Sequence, residues 1–201
     1  DPEAAMKKAN CLTCHTKASE QVMATSHWTW NVAKDGKDGY GKSTHLVNNY
    51  CISIIGGNTE SCARCHAGYG YKDKTFDFTR QENVDCLVCH NADYAMSRVR
   101  LSNGSMGPPD GTSQTTLDSY VQNIAPPTRA NCLSCHAKAG GGDGVKRGDL
   151  SLALIANADP HFDVHMNVLG PDLQCQACHV FQDHKVIGKG SDLHHTDDLS
   201  R

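Results

Sequence analysis

NCLTCHTKASEQVMATSHWTW, residues 10–30, sets two cysteines three positions apart, places His15 directly after the second, and adds His27 twelve residues later. Two thiols and two imidazoles in so short a stretch indicate a metal or a metal-containing cofactor. The same Cys-x-x-Cys-His motif recurs four more times along the 201-residue chain. A repeated cofactor site is therefore the feature around which we expect the fold to be organised.

The Cys-x-x-Cys-His motif is the attachment signature of c-type haem, in which both thiols form thioethers with the porphyrin and the histidine binds the iron. Zinc is the main alternative, but structural zinc sites do not require a histidine directly after every cysteine pair. A thioredoxin-like site would need one copy in a β-α-β pattern, which the sequence lacks. In chain order, motifs 1 to 5 predict attachment at Cys11 and Cys14, Cys62 and Cys65, Cys86 and Cys89, Cys132 and Cys135, and Cys175 and Cys178, with proximal iron ligands His15, His66, His90, His136 and His179.

The composition is poor in apolar residues, with 38% hydrophobic and 6% aromatic residues. Five buried porphyrins would supply the missing apolar surface. Glycine-rich and proline-rich stretches at 103–111 and 138–148 exclude long regular elements, while residues 150–156 favour a short helix. We therefore expect residues 1–201 to form a single pentahaem cytochrome c domain that is mainly α with extensive irregular loops and little β, organised around a stacked haem chain. Because motifs 2 and 3 have the shortest tether, we expect their haems to form the tightest pair.

The chain holds twelve histidines, which is more than five proximal positions require. The others are candidates for the sixth coordination position of each iron, and at least two must be spare if every iron is six-coordinate within one chain. Ligation by two imidazoles closes both faces of the iron, which suits electron transfer rather than substrate binding. The candidate distal ligands are His27, His45, His161, His165, His184, His194 and His195.

Charge and processing limit the partners and the compartment. The polypeptide carries a formal charge of −3, and five oxidised haems with ionised propionates lower it to about −8, which argues against nucleic acid or an anionic membrane surface. No apolar run is long enough for a transmembrane segment. Haem c is attached outside the cytoplasm, and the sequence starts without Met or an apolar signal segment, so we expect an exported mature protein, periplasmic or extracellular. Redox proteins or an extracellular electron acceptor are the expected partners.

Two further patterns are expected to have no ligand. GKDGYGKS at 36–43 matches the P-loop pattern, but no apolar strand precedes it. Cys51, the eleventh and unpaired cysteine, lies beside Ile52 and is expected to be a buried apolar residue, with an intermolecular disulfide as the alternative.

The segments around the motifs resemble the first five haem segments of the octahaem tetrathionate reductase family of multihaem cytochromes c. The resemblance covers most of residues 10–190. It implies an irregular, mainly helical fold with neighbouring porphyrins in van der Waals contact, and it implies that His27, His165 and His184 are distal ligands. The stretches that carry it are CLTCHTKASEQVMATSHWTW, GKSTHLVNNYCISI, ESCARCHAGYGYKDKTFDF, VDCLVCHNADY, GGGDGVKRGDLS, DVHMNV and CQACHVFQDHKVIGKG.

That family continues through three more haems, whereas this sequence stops at Arg201, so we expect a pentahaem relative that is truncated. The favoured function is electron transfer through five haems, without catalytic residues. A further hypothesis is head-to-tail polymerisation into an extracellular filament, with His194, His195 or histidines near the N-terminus binding haem in a neighbouring subunit.

The alternative is a reductase of sulfur or nitrogen oxyanions with one open or lysine-ligated haem. The resemblance implies such a lysine at the second attachment segment, and Lys42, Lys72 and Lys74 are candidates. Neutral lysine ligation requires loss of a proton, however, and His45 is available nearby. No motif ends in lysine, which disfavours the pentahaem nitrite reductase class.

Overall fold

The computed structural model of the chain describes residues 10–29, 31–34, 37–41, 63–72, 75–137, 150, 159–161 and 163–187. In 31–34, 37–41, 63 and 186–187 it describes the backbone alone. Several predictions concern residues outside these ranges: Lys42, His45, Cys51, Cys62, Lys74, His194, His195 and the proposed helix at 150–156 apart from Leu150.

The helices within these ranges are short, as the loop-rich sequence predicts. They are α1 (Ala18–Met23), α2 (Ser26–Thr29), α3 (Leu87–His90), α4 (Ala92–Ser97), α5 (Gln114–Gln122) and α6 (Arg129–His136). Single 3₁₀ turns cover Cys11–Thr13, Ala63–Cys65, Gln81–Asn83 and Cys175–Ala177. In the part of the chain described, no helix is long and apolar enough to cross a membrane.

Within the described ranges the strands form three small antiparallel hairpins. They pair β1 (Asn31–Lys34) with β2 (Lys37–Gly41), β3 (Val99–Arg100) with β4 (Met106–Gly107), and β5 (Val180–Gln182) with β6 (Lys185–Ile187). The mainly helical fold with little β is thereby confirmed. Strand β2 takes up most of the P-loop-like stretch and pairs with the strand before it, instead of forming a loop between a strand and a helix.

Side-chain caps explain where several helices begin. Asn91 accepts a hydrogen bond from the backbone N–H of Tyr94 at 2.8 Å and starts α4. Ser113 accepts one from Thr116 at 3.2 Å and starts α5. At α6 the Asn131 side chain accepts from the N–H of Thr128 at 2.9 Å. Each cap satisfies a backbone group that the first turn of a helix leaves without a partner.

The main apolar core is small and lies where motif 2 meets the helices of motif 3. It joins the segment after motif 2 to one face each of α3, α4 and α5. Its size agrees with the low apolar content of the chain. The buried members are Ala67, Tyr69, Leu87, Val88, Tyr94, Ala95, Leu117 and Tyr120.

Candidate haem-binding sites

Each fully described motif closes one helical turn, which fixes the relative positions of its thiols and imidazole. The N–H of the histidine donates to the carbonyl of the first cysteine, at 2.9 Å from His15 to Cys11 and at 2.8 Å from His179 to Cys175. Residues at spacings of three and four lie on one face of such a turn. Both sulfurs and the ring therefore face the same side, as attachment to one porphyrin requires.

Two histidines outside the motifs face motif histidines at a common distance. The ring centroids of His27 and His136 are 6.3 Å apart with planes at 87°, and those of His184 and His90 are 6.3 Å apart at 71°. Two metal–imidazole bonds of about 2.0 to 2.1 Å, with about 1.1 Å from each nitrogen to its ring centre, give about 6.3 Å between centroids. Each pair thus has the spacing of two ligands on opposite sides of one iron.

Hydrogen bonds hold the His90 and His184 rings in the tautomer that an iron ligand needs. Nδ1 of His184 donates to the Gln21 side-chain oxygen at 2.8 Å, and Nδ1 of His90 donates to the carbonyl of Ala125 at 3.0 Å. A ring that donates through Nδ1 keeps the lone pair of Nε2 for the metal. These contacts leave both Nε2 atoms available to one iron.

A tight turn explains how His184 reaches this position. His184 and Asp183 form the two-residue loop between β5 and β6, and both have positive φ, 64° and 49°. Such a loop matches the twist of an antiparallel hairpin. Gln21 of α1 contacts both turn residues, since its side-chain nitrogen donates to Asp183 at 3.3 Å. The hairpin after motif 5 therefore delivers its histidine to motif 3.

The surroundings of His27 and His184 favour the neutral imidazole. Burial lowers the pKa of His27, and the nearby His136 lowers it further. Although His27 is partly open to solvent, the protein packed around its ring reduces the hydration of the charged form. Burial also lowers the pKa of His184, with a second contribution from His90. Neutral imidazole is the form that binds iron.

Thiols of different motifs are in direct contact. There are three such contacts, and in each the hydrogen bond lowers the pKa of one of the two thiols to about 6. The thiols with the lowered pKa are those of Cys11, Cys135 and Cys175. Helices α3 and α6, which carry motifs 3 and 4, also pack against each other. The hydrogen-bonded thiols join motifs 1 and 3, 2 and 4, and 4 and 5 through Cys11–Cys86, Cys65–Cys135 and Cys132–Cys175. The tight pairing of haems 2 and 3 stays a prediction.

Motif 2 places its histidine differently from motifs 3 and 4. The His66 ring is fully buried, and its Nε2 donates to the carbonyl of Trp28 at 2.8 Å. Its centroid lies 4.5 Å from that of Tyr71 and 5.1 Å from that of Trp28, and Phe76 and Phe78 close the cage. Burial lowers the pKa of His66 to about 4. Ligation through Nε2 requires exchange of the Trp28 carbonyl for iron, so the proximal role of His66 stays a prediction.

The remaining described histidines are exposed. No described imidazole is in ring contact with His15 or His179. His161 and His165 lie on the segment before motif 5, and neither faces a described motif histidine across one iron. Lys72, a candidate distal ligand of the reductase alternative, is also exposed.

Sequence reasoning missed a buried ionic network behind motifs 2 and 3. Asp85 directly precedes Cys86; it accepts a hydrogen bond from Tyr94 at 2.8 Å and lies 3.7 Å from Nε of Arg98. The Arg98 guanidinium also donates to the carbonyls of Arg64 and His66, both at 3.3 Å. Burial raises the pKa of Asp85, and Arg98 opposes that rise. The only sequence signal was an aspartate placed against a cysteine in VDCLVCH.

Comparison with solved structures finds an octaheme cytochrome c from Shewanella oneidensis, with a TM-score of 0.71 and 35% sequence identity. The match covers 92% of this chain and 40% of that protein. An uncharacterised protein of Archaeoglobus fulgidus is 25% identical in an alignment 225 positions long that covers 87% of this chain and 73% of the relative. No protein-family model matches the chain. The chain therefore has a multihaem cytochrome c fold and spans less than half of the octaheme protein.

Proposed function

We propose that this chain is an exported c-type cytochrome that moves electrons through five covalently bound haems and performs no substrate chemistry. The observation that carries the proposal is the pair of 6.3 Å imidazole contacts, His27 with His136 and His184 with His90. Each contact joins a Cys-x-x-Cys-His histidine to a histidine from a distant segment. Iron closed on both faces exchanges electrons without binding substrate.

The thiol contacts suggest the order of the haems. Attached porphyrins lie against their own cysteines, so sulfurs in contact bring two porphyrin edges together. The described contacts would then connect haem 1 to haem 3, haem 4 to haem 5, and haem 2 to haem 4. Packing of α3 on α6 would connect haems 3 and 4. Haem 4 is then a junction, and haem 2 is a branch.

The likeness to the octaheme cytochrome supports a relation to the first five haem segments of the octahaem family. The match covers 92% of this chain, which carries five motifs, and 40% of the octaheme protein. We propose export to the periplasm or the cell exterior, because haem c is attached there. Redox proteins or an extracellular acceptor would exchange electrons with the exposed motifs.

Two observations favour a second candidate, a reductase of sulfur or nitrogen oxyanions. No described imidazole lies opposite His15 or His179, and His66 is hydrogen-bonded to a backbone carbonyl. A haem with an open or lysine-ligated iron could bind an oxyanion. Lys72 is the described candidate lysine.

The test is a haem count combined with electron paramagnetic resonance of the oxidised natural protein. The carrier proposal expects an intact mass that contains five haems and signals from low-spin, bis-imidazole iron alone. A high-spin signal that disappears when sulfite or nitrite is added would favour the reductase. A mass equal to that of the bare polypeptide would remove both candidates.

A further inference from the structure

The His165 side chain is exposed, while its backbone is hydrogen-bonded on both sides. Its ring is 71% exposed, and Nδ1 lies 3.5 Å from the carboxylate of Asp163. Its N–H donates to the same carboxylate at 2.7 Å, and its carbonyl accepts from the N–H of Leu173 at 3.0 Å. A carboxylate beside Nδ1 orients a histidine whose Nε2 binds a metal. The opposite edge of this ring faces solvent.

Arg129 holds the segment that carries this histidine. It is buried at the start of α6 and donates to the carbonyl of Met166 at 3.1 Å and to the Asp172 carboxylate at 2.9 Å. A further bond reaches the carbonyl of Leu173 at 2.6 Å. Charge-assisted bonds of this kind are among the stronger contacts in proteins. The exposed ring is therefore held on a fixed part of the fold.

His161 on the same segment provides an internal comparison. Asp159 precedes it by two residues, as Asp163 precedes His165, and each histidine N–H donates to that aspartate. Of these two histidines, His165 is the one whose ring also contacts the carboxylate. The same segment also exposes apolar side chains, since Val164, next to His165 in the chain, is 59% exposed and Leu169 is 92% exposed. Exposed apolar side chains on one segment are typical of a contact surface.

All five motif histidines are described, and the His165 ring contacts none of them. Within one chain it therefore does not lie opposite a described proximal histidine. His15 and His179 in turn have no described imidazole opposite them. Since His15, His165 and His179 are all exposed, a second copy of the chain can bring its His165 ring to either motif histidine.

We propose that His165 of one copy binds the haem iron on His15 or His179 of a second copy, and that Val164 and Leu169 pack around that contact. The proposal rests on the proposed function, because the iron must be present. Donor and acceptor are different surfaces, so the contact is heterologous and propagates unless geometry closes a ring. The sequence suggested His194 and His195 as the ligands to a neighbouring subunit, and both lie outside the described residues. In this proposal His165 is that ligand.

The experiment compares haem-loaded wild-type protein with His165→Ala and His161→Ala by sedimentation velocity and electron paramagnetic resonance. We expect wild type and His161→Ala to form large assemblies. His165→Ala should remain small, keep five haems and gain one high-spin iron per chain. Free imidazole should convert that iron to low spin without restoring assembly. Mixed into wild type, His165→Ala should shorten the assemblies in proportion to its fraction, because it accepts a ligand but donates none.

Unchanged assembly and an unchanged low-spin spectrum in His165→Ala would overturn this inference and leave the carrier proposal intact. A wild-type protein with five low-spin haems that stays a monomer at all concentrations would do the same. Missing haems in wild type would instead refute the proposed function. To identify the accepting motif, His15→Gly is compared with His179→Gly. The variant that has lost the accepting motif histidine should no longer assemble with copies that supply His165.

Discussion

His27 and His136 face each other at 6.3 Å with nearly perpendicular ring planes, although they belong to the first and fourth motif segments. Perpendicular ligand planes leave two iron d orbitals nearly equal in energy, which makes the low-spin signal strongly anisotropic. We predict that His27→Met keeps all five haems attached, removes one such signal and raises one reduction potential by on the order of 0.1 V. Intact mass and a spectroscopic redox titration measure these effects.

His161→Met is the matched control for that substitution, because His161 is exposed and contacts no described motif histidine. It should leave every potential in place. Loss of a haem in His27→Met, with all remaining potentials unchanged, would contradict its role as a ligand to the fourth haem.

The thiol contacts predict unequal effects of removing single haems. Cys62→Ala with Cys65→Ala removes the haem of motif 2, which lies on a branch in the haem order proposed from the Cys65–Cys135 contact. Electrons should still pass between motifs 1 and 5. Replacing Cys132 and Cys135 removes the haem of motif 4, the proposed junction, and should stop electron transfer between motifs 1 and 5. Both double variants lose the mass of one haem, so the difference between them is one of position.

Intramolecular electron redistribution after a pulse of reductant, followed by haem absorbance, distinguishes the two double variants. Wild type and the motif 2 variant should equilibrate at similar rates. Equal slowing in both variants would favour a linear haem series over a branched one.

The sequence was sufficient for features that depend on local spacing and insufficient for those that depend on long-range packing. Cys-x-x-Cys-His closes one turn by itself, so the candidate attachment residues could be named from the sequence, and their role stays a prediction. His27 and His184 could be named as distal candidates, but their partners could not, because a two-residue turn and α1 together deliver His184 to motif 3. Tether length favoured motifs 2 and 3 as neighbours, whereas the described thiol contacts join motif 2 to motif 4. Periodicity gave no signal for Arg98, whose partners lie in two separate segments.

Gly68 tests whether the enclosed position of His66 matters in the folded protein. A Cβ at this position would lie 2.8 Å from Nδ1 of His66 and 2.9 Å from Phe76. We predict that Gly68→Ala destabilises the protein by about 1 to 3 kcal/mol, because the caged rings must shift. Near-ultraviolet circular dichroism should change with it.

Gly170→Ala is the control for that substitution, since the nearest atoms to its Cβ would be at ordinary contact distance, 3.6 Å. It should change stability by less than about 1 kcal/mol. Equal stability of the two variants would show that the cage around His66 adapts without strain.

Arg98 and Asp85 form a buried ion pair whose loss should depend on pH. Both side chains are almost fully buried, and removing one partner of such a pair destabilises a protein by about 3 to 5 kcal/mol. In Arg98→Met the pKa of Asp85 should rise further, because the guanidinium that opposes the effect of burial is gone. A carboxyl whose pKa is raised in the folded state stabilises the fold at pH values below its pKa in the unfolded state, 3.8. This contribution is lost as the pH rises through the pKa of the folded state.

The destabilisation by Arg98→Met should therefore be smallest near pH 4 and should grow toward pH 7, as measured by denaturant unfolding followed by far-ultraviolet circular dichroism. Arg80→Met is the matched control, because Arg80 pairs with Glu82 at the surface, where both side chains are about half exposed. Such a pair contributes about 0 to 1 kcal/mol. A loss in Arg98→Met that is the same at both pH values would mean that Asp85 does not ionise in the wild-type core, and that Arg98 acts through the carbonyls of Arg64 and His66 alone.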